Sequence, residues 1–413
     1  MAVDEKVIPV NDLPSVALFQ PEPGPSLFET LAASRELCQL VWIVGWLPGQ
    51  RTTEVHRRFG EVVDLSGLDF DDAVAKIQST QPDGVAVLSD DAIEMAAAVA
   101  ERLNLPFHSV ETARYLYDKV AQREALAAAG LAVPRFGAVQ FGNSDVDVPF
   151  PAVLKPRAGA GSRDTFRVES NDEVTELLAL CNPLEEFILE EWLSDSANQR
   201  KYAADLVSVE TIVRDGDIRH LMVTGRVPFA PPFRETGSFM PSDLGDDDKD
   251  AVREVATSAI HALGITNGVI HTEVKMTSNG ARLIEVNGRV GGSINGLMSK
   301  IGGPSMTRLV LQVALGVDVG PLPSVDPSSI GFYRLLVGPV GATKVTAIEH
   351  LDEVGMIPGV IDVLMNKRPG DEVSARSTAF TDNVVRVDGL VHSYEELLDV
   401  IERIDATLTL SFS

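Results

Sequence analysis

The stretch HTEVKMTSNGARLIEVNGRVGG, residues 271–292, decides the fold assignment of this chain. It joins two runs of alternating apolar and polar residues, Val269 to Met276 and Arg282 to Val286, across turn-forming residues at 278–280. Alternation with a period of two is typical of half-buried strands, and Ser, Asn and Gly favour a turn between them. The stretch therefore predicts a β-hairpin.

The length of the turn decides which side chains share a face, because a slip of one residue moves every side chain to the other face. A three-residue loop at 278–280, with its glycine in the left-handed conformation, places Glu273 directly opposite Glu285. A two-residue loop at 279–280 would instead put Glu273 on the opposite face. We expect the three-residue loop.

In this register the hairpin gathers polar residues on one patch. Glu285, Asn287 and Arg289 share a face as long as extended geometry continues, and Glu273 joins them from the other strand. Carboxylate and amide oxygens suit Mg²⁺, with Mn²⁺ as the alternative ion, and a guanidinium suits an anionic oxygen. A lone pattern of this kind also fits a solvated hairpin, but the glycines at 291–292 favour a phosphate-binding site.

A second phosphate-binding feature lies earlier in the chain. The strand AVLKP, residues 152–156, ends with Lys155 directly before the glycine-rich loop RAGAGS, and the strand TFRV, residues 165–168, leaves that loop. Such a hairpin can fold over a ligand. The lysine ammonium can reach phosphate oxygens, and backbone N–H groups are offered by Gly159, Gly161 and Ser162.

The first part of the chain alternates short apolar strands with helical patterns. Strands are expected at Ser15 to Pro21, Leu40 to Trp46 and Gly84 to Ser89, with a helix at Asp90 to Leu103. This alternation is typical of a parallel α/β layer. It contains no GxGxxG motif, so a dinucleotide site has no support here.

The rest of the chain predicts further helices and a C-terminal lobe. One helix is expected from Thr112 to Gly130, since apolar residues recur at helical spacing and a glycine ends the pattern. The acidic run at 246–250 reads as the solvated start of a helix at 251–263. From about residue 320 the chain shows strands and a closing helix, Ser393 to Ile404, which reads as a separate small lobe.

The composition of the chain argues against several classes of function. The chain has 413 residues, with 35 basic against 60 acidic side chains, and a net charge of -25 would repel nucleic acid. The longest apolar run, Leu40 to Leu47, is far shorter than the ~20 residues that span a bilayer. The first residues lack a secretory signal pattern, and two cysteines give no disulfide framework. We expect a cytoplasmic protein that binds neither nucleic acid nor membrane.

Together these segments resemble the ATP-grasp superfamily, and the likeness runs from about Tyr115 to Gly303. The resemblance implies a mixed α/β and α+β multidomain protein with the ATP-grasp fold. It implies a Rossmann-like N-terminal domain, an ATP-grasp domain that contains a lid, and a small C-terminal lobe, at residues 1–112, 113–319 (lid about 134–190) and 320–413.

The resemblance also implies how ATP is bound. The segments YDKVAQREAL and VLKP imply phosphate binding by Lys119 and Lys155. Taken singly, Lys119 would read as a surface lysine of a helix. The segment ILEEWL implies contacts with the adenine edge, largely through backbone groups, from Glu190, Glu191 and Leu193.

The catalytic centre implied by the resemblance lies on the hairpin. Its metal ligands are Glu273, Glu285 and Asn287, and Arg289 steadies an acyl phosphate. Arg289 and Lys155 are the expected catalytic residues.

The stretch SVETIVRDGDIRHLMVTGRVPFAPPFRETGSFMPS and the closing part resemble the L-amino acid ligases and their carnosine-synthase-like relatives. Residues near an FxET segment help to form the amino acid pocket in that group, which implies Arg234 and Glu235 here, with Gly291 and Gly292 nearby. The acidic residue often found directly before SVE is Val207 in this chain, so Asp205 is the substitute expected near the ribose.

The implied activity is an ATP-dependent carboxylate–amine ligase that forms a peptide bond through an acyl phosphate and releases ADP and phosphate. Its substrates are a small carboxylate and an amine, ATP and Mg²⁺ are its cofactors, and a homodimer is left open. One alternative is a biotin-carboxylase-like or other ATP-grasp enzyme that activates a different acid. Another is a nucleotide-binding sensor without catalysis.

Overall fold

The computed structural model of the chain describes residues 13–19, 26–47, 54–196, 203–323, 325–326 and 328–413. The first twelve residues, which carry most of the segment tested for a secretory signal, lie outside the described residues. So does the end of the predicted strand Ser15 to Pro21, of which Ser15–Phe19 is described as strand. Within the described residues, no helix is both long and apolar enough to cross a membrane.

The N-terminal part is a four-stranded parallel sheet flanked by helices, as the alternating pattern predicts. Its strand order is β3-β2-β1-β4. Alternate residues of the strands enter two different cores, so that Ala17 packs on one side and Val16 on the other. Burial on both faces explains the continuous apolar runs in these strands. The elements are β1 (Ser15–Phe19), α1 (Leu27–Ser34), β2 (Gln39–Val44), α2 (Glu54–Phe59), β3 (Glu61–Asp64), α3 (Phe70–Gln78), β4 (Gly84–Val87) and α4 (Ile93–Leu103).

The single helix predicted from Thr112 to Gly130 is wrong, because the structure has two helices, α5 (Val110–Tyr117) and α6 (Lys119–Ala128). Asp118 separates them in an extended conformation, and its carboxylate accepts from the first backbone N–H groups of α6. Asp118 is therefore an N-cap inside a continuous helical pattern. The break makes Lys119 the first residue of α6 and turns it inward.

The lid is a separate four-stranded sheet with its own small apolar core. The strand order is β5-β8-β6-β7, and the lid helix α7 follows β7. The glycine-rich loop joins β6 to β7, as predicted. The lid elements are β5 (Phe136–Val139), β6 (Ala152–Pro156), β7 (Phe166–Val168), α7 (Asn171–Ala179) and β8 (Phe187–Glu191).

The largest unit is an eight-stranded sheet in the order β13-β12-β9-β10-β11-β14-β17-β16. Its first five strands in this order, with three helices, precede residue 320. These elements are β9 (Leu206–Arg214), β10 (Asp217–Arg226), β11 (Gly237–Met240), α8 (Asp246–Ala262), β12 (Gly268–Thr277), β13 (Gly280–Asn287), α9 (Ile294–Lys300) and α10 (Met306–Ala314).

The C-terminal part extends this sheet, which corrects the expectation of a separate lobe. Strand β14 pairs with β11, and β17 and β16 follow it, so backbone hydrogen bonds cross the expected boundary near 320. The apolar core of this part also includes Ala203, Val227 and Phe239 from before residue 320. Its elements are β14 (Ile330–Leu336), β15 (Val345–Glu349), α11 (Leu351–Gly355), β16 (Val360–Met365), α12 (Ala379–Asp382), β17 (Val385–Val391), α13 (Tyr394–Thr407) and β18 (Thr409–Phe412).

The hairpin of β12 and β13 has the predicted carboxylate pair but not the predicted loop. Its turn holds two residues, 278–279, and Gly280 (φ +90°) already belongs to the ladder. The three-residue loop is therefore wrong. A β-bulge adds one residue, Ile284, to β13 and restores the register in which Glu273 pairs with Glu285. The opposition of the two carboxylates is confirmed, although a bulge rather than the loop produces it.

Candidate active site

A cavity of about 600 Å³ lies between the lid and the eight-stranded sheet. It brings together residues far apart in the sequence, from Lys119 on α6 to Phe380 on α12. Two of the predicted site residues, Arg234 and Gly291, are not part of its lining. The predicted residues that line it are Lys119, Lys155, Gly159, Gly161, Ser162, Glu190, Glu191, Leu193, Asp205, Glu235, Glu273, Glu285, Asn287, Arg289 and Gly292.

Lys119 connects the lid loop to the hairpin. Its Nζ donates to the backbone oxygen of Gly159 at 2.6 Å and lies 3.1 Å from Glu285 Oε1. The side chain is buried, unlike a surface lysine of a helix. The reading of Lys119 as a solvated surface residue is therefore wrong.

Lys155 lies in a buried charge cluster on the lid side. Its Nζ is 2.6 Å from Glu190 Oε2, and Arg123 Nε donates to Glu190 Oε1 at 2.6 Å. Burial alone would raise the pKa of Glu190, but Arg123 and Lys155 outweigh it and lower that pKa to about 2. One carboxylate thus holds two cations at the cavity wall. Arg123 also donates to the backbone oxygen of Ile284, which ties the cluster to the hairpin bulge.

The carboxylate of Glu190 thus has a structural task besides any adenine contact. Arg123 was not among the predicted site residues, although the helical pattern of α6 places it one turn after Lys119.

The predicted metal ligands lie side by side at the floor of the cavity. Glu273 and Glu285 are direct cross-strand partners, and Asn287 follows on the same strand. Asn287 Nδ2 donates to the backbone oxygen of His271 at 3.3 Å, so its amide oxygen is the atom it can offer to a cation. Among the described residues, no three His, Cys, Asp or Glu side chains form a group that could hold a metal by themselves.

Two carboxylates and one amide oxygen nevertheless fit Mg²⁺, which usually completes its shell with water and nucleotide phosphates. Lys119 compensates the charge of Glu285. The oxygen donors therefore fit a metal that arrives together with a nucleotide.

A buried polar network holds Glu273 in position. His271 Nε2 lies 3.4 Å from Glu273 Oε1, and His271 Nδ1 lies 2.9 Å from Glu210 Oε2. Burial would lower the pKa of His271, but Glu210 and Glu273 raise it to about 9. Burial would raise the pKa of Glu273, but His271, Arg226 and Arg289 lower it to about 2. The ring is therefore a cation between two anions near neutral pH.

Sequence reasoning missed Glu210 and Arg226. Both are buried, and Arg226 also lines the cavity. A signal was present, since Ser208 and Glu210 alternate with valines in the stretch VSVE, and polar residues inside a buried strand point to a polar site.

Arg289 lies at the cavity but not on the face of a strand, which corrects the expected geometry. Strand β13 ends at Asn287, so extended geometry does not continue to Arg289. Instead the guanidinium is held from the N-terminal domain, where Asp90 Oδ2 accepts from Nε at 2.7 Å and lies 2.5 Å from Nη2. The parallel sheet thus positions a cation of the cavity.

The glycine-rich loop has the backbone that its sequence requires. Gly159, Gly161 and Ser162 have φ values of 110°, 72° and 56°. Positive φ is readily adopted by glycine and is uncommon for serine, so the loop conformation depends on its glycines. All three residues line the cavity.

The hinge between lid and sheet is bound by polar contacts. Glu191 N donates to the backbone oxygen of Arg135 at 2.8 Å. Lys275 Nζ donates to the backbone oxygen of Leu193 at 2.8 Å and lies 4.6 Å from the centre of the Trp192 ring. Asp205 Oδ2 accepts from the backbone of Ser196 at 2.7 Å. Trp192 therefore packs against a cation at the cavity rather than in the apolar core.

The predicted substrate residues separate into two groups. Glu235 lines the cavity, accepts from Ser238 Oγ at 2.7 Å and lies 3.6 Å from Arg226 Nε. Arg234 is buried, and its Nε donates to the backbone oxygen of Pro231 at 3.0 Å. Arg234 thus braces its own loop, and a contact of its side chain with substrate stays a prediction.

The two glycines after the hairpin allow close approaches. A Cβ on Gly292 would lie 2.8 Å from the ring of Phe380, which also lines the cavity. A Cβ on Gly291 would collide with the ring of His271. Phe380 comes from the C-terminal part, and sequence reasoning gave no indication of it.

Comparison with known proteins identifies the fold that contains this cavity. The profile of the ATP-grasp domain family matches residues 148–296. An L-amino acid ligase from Bacillus licheniformis has the same fold over 97% of this chain and 99% of its own, with a TM-score of 0.74 and 24% sequence identity. The chain has the ATP-grasp fold. The mixed α/β multidomain architecture and the resemblance to this superfamily are thereby confirmed.

Sequence relatives of the chain include a named ligase. Alanine–anticapsin ligase from Bacillus subtilis is 30% identical over 240 residues, and the match covers 52% of this chain and 50% of the relative. The chain thus spans about half the length of that ligase. An uncharacterized protein from Sinorhizobium fredii is 25% identical over 412 residues, which cover 94% of this chain and 76% of the relative.

The ATP-grasp fold is shared with enzymes that bear other names. N5-carboxyaminoimidazole ribonucleotide synthetase from Thermotoga maritima matches 97% of this chain with a TM-score of 0.69 and 16% identity. At such identities the likeness shows the fold alone. The reaction therefore has to be inferred from the residues that line the cavity.

Proposed function

We propose that the protein is an ATP-dependent carboxylate–amine ligase, of the kind that joins two amino acids through a peptide bond. The observation that supports the proposal is that one cavity contains both a set of oxygen ligands and two lysine ammonium groups. Glu273, Glu285 and Asn287 provide oxygen ligands, and Lys119 and Lys155 provide cations, all within a space of about 600 Å³. This combination suits MgATP, because the ligands hold the metal and the ammonium groups contact phosphate oxygens.

The reaction needs no nucleophile from the protein. A substrate carboxylate oxygen attacks the γ-phosphorus of ATP, the bond to the bridging oxygen breaks, and ADP leaves. The amine then attacks the acyl carbon, phosphate leaves, and the nitrogen loses a proton. Bound Mg²⁺ would neutralise phosphate charge during this chemistry. The protein supplies position and charge, with Arg289 aimed into the cavity by Asp90.

Two opposite charges support amino acids as substrates. Arg226 and Glu235 both line the cavity, and Arg226 Nε lies 3.6 Å from Glu235 Oε1. An amino acid carries an α-carboxylate and an α-ammonium group on one carbon, so such a pair can contact both. Bicarbonate, the substrate of a carboxylating enzyme, offers no cation for Glu235. The name of the Bacillus subtilis relative, alanine–anticapsin ligase, supports the same choice.

The test is phosphate release from MgATP in a pairwise screen of amino acids, with mass spectrometry of the products. A ligase releases phosphate only when both substrates are present and forms a product with the mass of the pair less one water. A bicarbonate requirement would favour the carboxylating alternative, and no release with any acid would favour the sensor. Glu285→Ala is the control for contaminating ATPases. The cytoplasmic location and the homodimer stay predictions.

A further inference from the structure

The segment Ser374–Asp382 of the C-terminal part touches both the lid and the substrate end of the cavity. Through Arg376 and Thr378 it contacts the lid, and through Phe380 it lines the cavity beside Gly292. The Rossmann-like domain and the sheet are packed through large apolar cores, whereas these contacts join two parts with separate cores. We refer to residues 374–382 as the strap.

Arg376 makes the main contacts of the strap with the lid. Its Nε donates to Asp164 Oδ1 at 2.7 Å, and its backbone oxygen accepts from Asp164 N at 3.1 Å. Its Nη1 donates to the backbone oxygen of Leu180 at 2.9 Å, and its Nη2 reaches Cys181 Sγ at 3.3 Å. One side chain therefore binds the lid both just before β7 and just after α7.

Asp164 lies two residues after Ser162, the last residue of the glycine-rich loop, so this contact acts close to the loop. Asp164 is 9% exposed and has a φ of 46°. Its other oxygen accepts from Arg163 Nη1 at 3.0 Å, and Arg163 lines the cavity. Within the loop, three residues before Asp164, a Cβ on Gly161 would lie 3.0 Å from Thr378 Cβ. The strap thus packs directly against the loop expected to contact phosphates.

The strap is itself fixed to the C-terminal part. Ser374 N donates to Asp382 Oδ2 at 2.7 Å, and Lys367 Nζ lies 3.3 Å from Asp382 Oδ1. Asp382 is buried. These contacts close the strap into a loop with fixed ends, so Arg376 presents a held guanidinium to the lid rather than a freely moving one.

From this geometry we infer that Arg376 is a positioning residue that holds the glycine-rich loop closed over the phosphates of ATP. The inference rests on the proposed function, since it assumes that the loop binds ATP. Arg376 itself does not line the cavity. Its loss should therefore act through Asp164 and the loop, with weaker nucleotide binding and easier entry of water as the consequences.

The experiment compares Arg376→Ala, Arg376→Lys and Asp164→Asn with Arg368→Ala, an exposed arginine of the same part of the chain. We expect Arg376→Ala to raise the Kd for MgATP about tenfold, the factor typical of losing a charge-assisted hydrogen bond. Asp164→Asn should resemble it, and the double variant should be no weaker than either single one. Arg376→Lys should recover part of the affinity, and Arg368→Ala should leave it unchanged.

Two further measurements separate positioning from a general loss of stability. MgATP should protect the loop 157–162 from proteolysis in the normal protein and less so in Arg376→Ala, while thermal unfolding of the two stays similar. Phosphate release without an amine should increase in the variant, because an open loop admits water. If Arg376→Ala and Arg368→Ala had equal affinity for MgATP and equal protection of the loop, the inference that Arg376 holds the loop closed would be wrong. Failure of the unaltered protein to bind MgATP would instead overturn the proposed function.

Discussion

The lid and the eight-stranded sheet meet at one cavity, yet they are built on different principles. The sheet side places Glu273 and Glu285 on paired strands and surrounds them with buried partners such as His271. The lid is a small sheet with its own core, and its loop depends on glycines at positive φ. Buried, hydrogen-bonded ligands are held to a fraction of an ångström, whereas a unit with few outside contacts can move as a body.

This difference in construction suits the different tasks that the proposed function gives to the two regions. Under the proposed function, metal ligands and Arg289 need a fixed geometry, and the residues proposed for these roles lie where strand pairing and an interdomain ion pair set their positions. The phosphate contacts proposed for Lys155 and the glycine-rich loop have to open for entry of ATP and close for chemistry, and these residues lie on the lid. Changes on the sheet side should therefore reduce turnover, and changes on the lid should mainly weaken nucleotide binding.

Glu285→Ala should give the largest effect and the sharpest test of the sheet side. Glu285 lies opposite Glu273 on the paired strand and its carboxylate forms an ion pair with Lys119, so its removal takes away a predicted metal ligand without emptying an apolar core. We expect turnover to fall by at least about 10³, with an unchanged fold. Phosphate release and circular dichroism measure the two quantities. Glu254→Ala, an exposed acid on α8, is the control, and normal release by Glu285→Ala would refute the metal site.

Arg289→Lys should lower kcat by about 10² to 10³, the usual cost of one preorganised donor. A lysine offers a point charge where arginine grips two oxygens in a fixed fork, and it also loses the paired contact with Asp90. Nucleotide affinity should change less than turnover. The check is kcat from amino-acid-dependent phosphate release beside calorimetry on the same variant. An unchanged kcat with weaker ATP binding would make Arg289 a nucleotide anchor.

Glu190→Gln tests the junction between the two regions through pH. The folded pKa of Glu190 is about 2, below its ordinary 4.5, so its stabilising effect is present above about pH 4.5 and is lost as the pH falls toward 2. The variant should be less stable than the normal protein by about 3 kcal/mol at pH 7, because Arg123 and Lys155 lose their partner. The difference should vanish near pH 2.

Urea unfolding at a series of pH values from 7 to 3 measures this difference. A gap that stayed constant across the series would show that the ion pairs with Glu190 do not stabilise the junction.

Lys155→Ala should give the smallest of these effects and belongs to the lid side. We expect MgATP to bind about 10- to 100-fold more weakly, as for the loss of one charged hydrogen-bond donor, with a smaller change in kcat. The measurement is calorimetry together with the KM for ATP. Lys344→Ala, an exposed lysine, serves as the control. Wild-type affinity and kinetics in Lys155→Ala would show that Lys155 does not bind the phosphates. The proposed difference between lid and sheet would then lose its support.

Local patterns determined much of this protein. Apolar patterns identified β1, β2 and β4 of the parallel sheet and the hairpin of β12 and β13, but they did not identify β3, β10 or β11. The acidic run at 246–250 is the first turn of α8, as predicted. The residue types in the hairpin and the glycine-rich loop indicated metal and phosphate chemistry. These signals are readable because strand period, turn residues and oxygen ligands act over a few neighbouring positions.

How these parts meet depends on long-range packing. Ile284 at the bulge accepts from Arg123, Asp118 at the cap accepts from Arg157, and Asp90 accepts from Arg289, so each of these features has a partner distant in the chain. Arg226, Phe380 and the strap enter the site through sheet order and lobe packing, which no local pattern encodes. Sequence fixes propensities over a few residues, whereas burial and long-range contacts select among the registers and breaks that those propensities allow.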